Sequence, residues 1–84
     1  MNYAVELVAE AEDDLADAWL QADDPQAVTA AQAEIERRLA RDPIGAGQHL
    51  HEGLYQIAVE PLTVFYSVDT SQRKVEVLQV RYTP

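Results

Sequence analysis

The stretch LYQIAVEPLTVFYSVDTSQRKVEVLQVRY, residues 54–82, decides the fold. It contains three strand-like runs separated by two clusters of turn residues. In the first two runs, 54–59 and 62–68, apolar residues alternate with other residues, which is the period of a strand with one buried face. The last run, 74–82, is apolar on both faces. We therefore expect the last strand to be central in a sheet or to contain a bulge.

The segment upstream of these runs predicts one strand and two helices. A short alternating run at 3–7 predicts the strand, and apolar residues then recur at helical spacing. Asp24 and Pro25 suit the N-cap and first position of a second helix, which Asp42-Pro43 ends. A connection this short makes the two helices an antiparallel hairpin. Residues 44–53 hold all three glycines, show no period and predict a loop.

These elements give the order β-α-α-β-β-β. We predict an α+β fold with one domain over residues 1–84, in which a small, twisted, mainly antiparallel sheet packs against an N-terminal helical hairpin. A chain of 84 residues with 48% hydrophobic residues suits a globular protein with one core. Trp19 lies on the apolar stripe of the first helix, so it is predicted to belong to this core.

Charge is divided unevenly along the chain. Residues 1–36 contain ten acids and no base, so their net charge is −10, whereas residues 37–84 have a net charge of +1. A chain with a pI near 4.3 does not favour general nucleic-acid binding, because phosphate contacts need clustered Lys or Arg. The bases that could form a local contact for RNA or another target are Arg37, Arg38, Arg41, Arg73 and Lys74.

Candidate catalytic residues are few. Arg81 could stabilise an anionic transition state and Tyr82 could orient or exchange a proton, although an Arg at a strand end is more often structural. His49, His51 and Glu52 are the nearest approach to a metal site, and we interpret them as ordinary solvated residues. With no cysteine and no glycine loop that could hold phosphate, the sequence predicts no metal and no cofactor.

Localisation is predicted from apolar runs and from the N-terminus. No run approaches the roughly 18 apolar residues that span a bilayer. The chain begins Met-Asn-Tyr and continues into an acidic segment, which is not typical of a targeting peptide. We therefore expect a cytoplasmic protein without a membrane partner.

The chain as a whole resembles the RelE/ParE superfamily of toxins from bacterial type II toxin–antitoxin modules, the kind associated with plasmid stabilisation. The motifs that carry the resemblance follow the family's element order and span nearly all 84 residues. They are Tyr3-Ala4-Val5-Glu6-Leu7, Ala11-Glu12-Asp13-Asp14-Leu15, Ile35-Glu36-Arg37-Arg38-Leu39, Asp42-Pro43, Gly53-Leu54-Tyr55-Gln56-Ile57-Ala58-Val59, Val64-Phe65-Tyr66-Ser67-Val68-Asp69 and Val75-Glu76-Val77-Leu78-Gln79-Val80-Arg81.

The resemblance implies a cognate antitoxin that wraps the toxin as a partly disordered segment. The groove for it would be formed by Leu15, Trp19, Val28 and Ile35 of the helical hairpin. An exposed edge strand and this apolar groove also predict a tendency to form a homodimer.

The family that this chain resembles has two known activities. Members similar to RelE cut mRNA on the ribosome with basic and phenolic side chains, whereas members similar to ParE inhibit DNA gyrase. The fold does not choose between them. RelE-like members carry bases on the second and third strands, where this chain has Gln56, Ala58, Glu60, Thr63 and Phe65; Arg81 and Tyr82 match the family's C-terminal Arg and aromatic positions. The interpretation therefore favours ParE-like protein binding over an enzyme. A RelE-like mRNA endoribonuclease and a nontoxic antitoxin-binding module are the alternatives.

Overall fold

A computed structural model describes residues 2–84, which form one five-stranded sheet and three helices. The sheet order is β1-β5-β4-β3-β2, with β1 and β5 parallel and every other pair antiparallel. The predicted α+β class and the mainly antiparallel sheet are confirmed. The elements are β1 (Ala4–Leu7), α1 (Ala9–Gln21), α2 (Pro25–Arg41), α3 (Pro43–Ala46), β2 (Gln48–His51), β3 (Leu54–Val59), β4 (Leu62–Asp69) and β5 (Lys74–Tyr82).

The ends of α2 follow the sequence signals. The Asp24 carboxylate accepts a hydrogen bond from the Gln26 N–H at 3.2 Å, and Pro25 occupies the first turn, where its missing N–H has no helical partner. Asp42 ends the helix. Its carboxylate then accepts from the Gly45 N–H at 3.0 Å, which caps the short helix α3. One aspartate therefore closes α2 and opens α3.

The prediction that residues 44–53 form a loop was wrong. Residues 43–46 form α3, and Gln48–His51 form β2, which pairs with β3 through an irregular register between His49 and His51. All four residues of β2 are exposed, because the strand lies at the edge of the sheet. An edge strand without a buried face has no apolar period, so the sequence pattern could not reveal it.

Strand β5 is central and also contains a bulge, as its apolar pattern predicted. It pairs with β1 on one side and with β4 on the other. Phe65 lies opposite Gln79 whereas Tyr66 lies opposite Val77, so Leu78 is an extra residue. The extra residue shifts the alternation by one, which keeps the valines before and after it on the buried face: Val75, Val77 and Val80.

Helices α1 and α2 pack on one face of the sheet, and the core lies between. Helix α2 buries Val28, Ala31, Ile35 and Leu39 against the sheet. The prediction that Trp19 belongs to the core was wrong, because its side chain is 50% exposed. In α1 the buried positions are Ala11 and Ala18. Their small side chains face inwards, Leu15 packs against the edge of the core, and Trp19 and Leu20 are exposed at the surface.

Tyr66 joins the sheet to the segment between α2 and β2. Its side chain is fully buried, its ring stacks on Tyr55 with 5.6 Å between centroids, and its hydroxyl donates to the Pro43 carbonyl at 2.6 Å. Gly47 passes close by, and a Cβ there would overlap the Tyr66 hydroxyl and lie 2.6 Å from the Gln56 carbonyl oxygen. The only residue type that fits at position 47 without a local shift is therefore glycine.

We expect Tyr66→Phe to lower the free energy of unfolding by about 1–3 kcal/mol, because it leaves the Pro43 carbonyl without its donor in a buried site. Tyr55→Phe is the matched control, since it keeps the aromatic stack and should change stability much less. Denaturant unfolding of both variants measures the difference. Equal stability of Tyr66→Phe and the wild type would contradict a structural role for this hydrogen bond.

Burial raises the pKa of the Tyr66 phenol from 10.0 to about 12, with smaller contributions from Tyr55 and Asp42. The folded state thus holds this proton more tightly than the unfolded state. The associated stability is complete below pH 10 and is lost as the pH rises towards about 12. Ultraviolet titration of tyrosinate in the wild type and in Tyr66→Phe should differ by one component near pH 12. A difference component centred near 10 would contradict the effect of burial.

Candidate functional site

An open groove of about 600 Å³ lies between α1 and α2, and we call it the helix groove. Three of the four residues that the sequence analysis assigned to an antitoxin groove line it together: Leu15, Trp19 and Val28. The fourth, Ile35, is buried and lines a narrow apolar cleft that shares Leu15 with the groove. The complete lining is Leu7, Glu12, Leu15, Ala16, Trp19, Leu20, Val28 and Gln32.

The groove arises from the way α1 presents its side chains. Ala11 and Ala18 face the core, so Leu15 and Trp19, four residues apart, lie along one wall of the groove. Leu20 is 75% exposed and widens the apolar surface; the sequence analysis missed it. Large apolar side chains exposed together in a groove are typical of a surface that binds another molecule. In the sequence, the adjacent apolar pairs Leu15-Ala16 and Trp19-Leu20 indicate an apolar stripe on α1 that is wider than its core-facing side.

The basic residues of α2 make ion pairs within the helix. Arg37 Nη2 lies 2.7 Å from Glu34 Oε2, and Arg38 Nε lies 2.6 Å from the same oxygen. These two guanidinium groups lower the pKa of Glu34 from 4.5 to about 2. Arg41 is exposed in the last turn of α2, where a cation suits the negative end of the helix dipole.

The other predicted contact residues lie at the opposite end of β5 from Arg81. Arg73 occupies the turn before β5, and Lys74 Nζ lies 3.3 Å from Glu6 Oε1 of β1. A strand rises about 3.3 Å per residue, so Arg73 and Arg81 are separated by about 25 Å along the strand. The structure therefore does not bring these bases together with Arg81 into one basic patch.

Arg81 lies on the face of the sheet opposite the core, which we call the open face. Two cross-strand rows cross β3, β4 and β5 there: Gln56, Phe65 and Gln79, then Ala58, Thr63 and Arg81. The Arg81 guanidinium carbon lies 5.3 Å from the Phe65 ring centroid, which is a cation–π distance. In these two rows, Arg81 is the only base.

Tyr82 does not share this face. Successive strand residues point to opposite faces, and Tyr82 is partly buried against the core, whereas Arg81 is exposed. The two residues predicted to be catalytic therefore point to opposite faces of β5, although both border the concavity that Asp17 lines.

Acidic residues of α1 line open concavities together with Arg81. Strand β1 has only four residues and covers residues 74–77 of β5, so the edge of β5 beyond Val77 meets α1 instead. There the Val80 N–H donates to Asp14 Oδ2 at 3.1 Å. Asp14 and Glu10 line one open concavity with Arg81, and Asp17 lines a second concavity with it. Three carboxylates near one guanidinium oppose the approach of a phosphate.

The described chain, residues 2–84, contains no group of three or more His, Cys, Asp and Glu side chains that could hold a metal ion. His49 and His51 both lie in β2, and the His49 ring packs against Tyr55 with 5.1 Å between centroids. Within the same residues, no helix is both long and apolar enough to cross a bilayer.

Solved structures share this fold over nearly the whole chain. A chain of the RelBE2 toxin–antitoxin complex from Mycobacterium tuberculosis superposes with a TM-score of 0.81 at 21% identity, covering 98% of this chain and 92% of that one. A chain of the chromosomal ParDE system of P. aeruginosa gives 0.72 at 14% identity, covering 98% and 97%. The archaeal RelE–RelB complex from Pyrococcus horikoshii gives 0.73 at 18% identity, covering 98% and 96%.

No protein-family model and no curated protein sequence matches the chain. The structural similarity nevertheless defines the class: this is an α+β chain with the fold of toxin–antitoxin proteins of the RelE and ParE kinds. The fold that the sequence resemblance implied is confirmed by these structures. Both kinds are among the similar structures, so the fold is equally compatible with either activity.

We expect Asp14→Ala to lower the free energy of unfolding by about 1–3 kcal/mol, because it removes the acceptor of the Val80 N–H at a partly buried sheet edge. Asp13→Ala, at an exposed position of the same helix, is the matched control. Hydrogen exchange of the Val80 amide should accelerate in Asp14→Ala and stay unchanged in Asp13→Ala. Unchanged Val80 protection in both variants would show that Asp14 does not hold α1 to β5.

Proposed function

We propose that this chain is the toxin-like component of a type II toxin–antitoxin pair and that it acts by binding a protein. The leading version is inhibition of DNA gyrase, as in the ParE kind. The observation that carries the choice is the surroundings of Arg81, the only base in the two central rows of the open face, which lies beside Glu10, Asp14 and Asp17.

A cognate antitoxin is the expected partner in this proposal. The similar structures include complexes of RelE with RelB and the ParDE toxin–antitoxin system. The helix groove offers a surface on which an apolar segment of the antitoxin could pack, since it is open, mostly apolar and includes the half-exposed Trp19. An antitoxin that covers this groove would remove the largest exposed apolar side chains of α1 from water.

Cleavage of mRNA is disfavoured on electrostatic and geometric grounds. A ribosome ligand gains affinity by neutralising several phosphates, and the chain has a net charge of −9. Stabilisation of an anionic phosphate in the transition state needs groups that converge on it, but Arg81 and Tyr82 lie on opposite faces of the sheet. A protein target demands neither feature.

The proposal is tested by tightly repressed induction of the chain alone in bacteria, with growth followed beside primer extension on a reporter mRNA and a DNA-damage reporter. We expect growth arrest, a damage response and intact mRNA. Arrest with mRNA cuts at codon positions would overturn the proposal in favour of a ribosome-dependent endoribonuclease. Unimpaired growth in a host with a susceptible gyrase would overturn it in favour of a nontoxic antitoxin-binding module.

Arg81→Ala provides the matched control for the two toxic outcomes. If the chain cleaves mRNA, this substitution should abolish the cuts, because Arg81 is the only base in the central rows of the open face. If the chain acts without cleavage, primer extension should give the same uncut mRNA for the wild type and for Arg81→Ala. Circular dichroism and thermal unfolding of the purified variant confirm that it folds.

A further inference from the structure

We propose that the helix groove takes an amphipathic α-helix whose polar side is basic, supplied by a partner protein. The inference rests on the proposed function, in which an antitoxin covers this groove, and it adds the chemical character of the segment that binds.

The walls of the groove favour a helical occupant. Its lining comes mainly from side chains of α1 and α2, whose backbone hydrogen bonds are made within each helix. The groove walls therefore offer few free backbone groups to an extended segment, and an unpaired buried backbone group is costly. A helix satisfies its own backbone and places apolar residues at i, i+3, i+4 and i+7 into such a groove.

Charge around the groove has one sign. Glu12 is the only charged residue in the lining. At 100° per residue, Asp13 and Asp17 follow directly beyond Leu20 on the outer side of α1. Asp23 and Asp24 stand in the connection between the helices, at the end of the groove nearest Trp19 and Leu20. An occupant with an apolar side in the groove would therefore place its flanking polar residues beside carboxylates.

The arginines of α2 do not offset these acids. By helical spacing, Arg37 and Arg38 project from the side of α2 that faces away from Gln32, the α2 residue that lines the groove with Val28. Both are also paired with Glu34. Complementary potentials favour association and like charges oppose it, so a basic helix is selected over an acidic one with the same apolar side.

A second copy of this chain is a poor occupant for the same reason. Each copy carries a net charge of −9, and the half of the chain that builds the groove has a net charge of −10 and no base. Self-association through the groove would bring two acidic rims together, which like-charge repulsion opposes.

Trp19 provides the test, because it is the single tryptophan of the chain and is half-exposed in the groove. The probes are three synthetic helices of about four turns. They have identical apolar sides of Leu and Ala, and their polar sides consist of Lys, Gln or Glu. A fourth peptide keeps the Lys composition but scrambles the apolar positions. Each is titrated into the purified full chain while the emission maximum of Trp19 is followed.

We expect the Lys helix to shift the Trp19 emission to the blue and to bind at least about tenfold more tightly than the Gln helix, with the Glu helix weaker still. Raising the ionic strength from about 0.1 M to about 1 M shortens the Debye length from about 10 to about 3 Å and should remove most of the difference between the Lys and Gln helices. The scrambled Lys peptide should leave the emission of Trp19 unchanged.

Two variants locate the binding site. Leu20→Asn removes an apolar contact at a largely exposed position of the groove, so the fold should survive and the affinity for the Lys helix should fall at least about fivefold. Ile44→Asn changes an exposed apolar residue on α3, outside the groove, and should bind as the wild type does. Equal loss of affinity in both variants would overturn the assignment of the site.

Other outcomes overturn the inference and leave the proposed function in place. Equal binding of the Lys and Gln helices, or tighter binding of the Glu helix, would show that the partner is not selected by basic charge. A blue shift of Trp19 with increasing concentration of the chain alone, together with a dimer in sedimentation, would make a second copy the occupant. The induction experiment depends on none of these results, so the two hypotheses fail separately.

Discussion

The difference in length between two neighbouring strands organises this molecule. Strand β1 has four residues and β5 has nine, so β1 leaves half of one edge of the central strand without a partner. Unpaired backbone groups at a partly buried edge are costly, and the start of α1 supplies hydrogen-bond partners for two of them. The Asp14 carboxylate accepts the Val80 N–H, and the Val8 N–H donates to the Val77 carbonyl at 3.0 Å where the chain leaves β1. The first helix is thereby fixed along the edge of the sheet.

This position of α1 shapes both the helix groove and the surroundings of Arg81. The helix turns Ala11 and Ala18 towards the core, and a helix with small inward residues has to carry its large apolar side chains elsewhere. Trp19 and Leu20 consequently form the outer part of the groove with α2. The opposite side of the same helix carries Asp14 and Asp17 to the end of β5. One helix therefore supplies an apolar wall of the helix groove and the carboxylates that line the concavities beside Arg81.

The charges around Arg81 bear on the activity of this chain, which the fold alone does not determine. The fold is shared with toxin–antitoxin proteins of the RelE and ParE kinds, and in this chain Arg81 lies near the end of the interior strand β5. In this chain the Phe65 ring lies beneath the Arg81 guanidinium, and carboxylates of α1 line the same concavities as Arg81. A cation held among carboxylates is less available to an incoming phosphate than the same cation in a basic patch. The activity is therefore argued from the site and not from the fold.

Local chemistry in the sequence was sufficient for most of the framework. The alternation in β3 and β4, the Asp24-Pro25 start of α2 and the doubly apolar β5 each predict their own structure, because a period of two, a capping side chain and a missing N–H act over a few residues. The predicted strand 74–82 already implied that its neighbours Arg81 and Tyr82 point to opposite faces. The sequence could not show which apolar residues of α1 face inwards or that Asp14 meets Val80 across 66 positions. Nor could it reveal β2, whose exposed residues have no buried partner to impose a pattern. Those features were settled by strand pairing and helix docking between distant segments, since hydrogen bonds and packing across the sheet fix which side of each element is free.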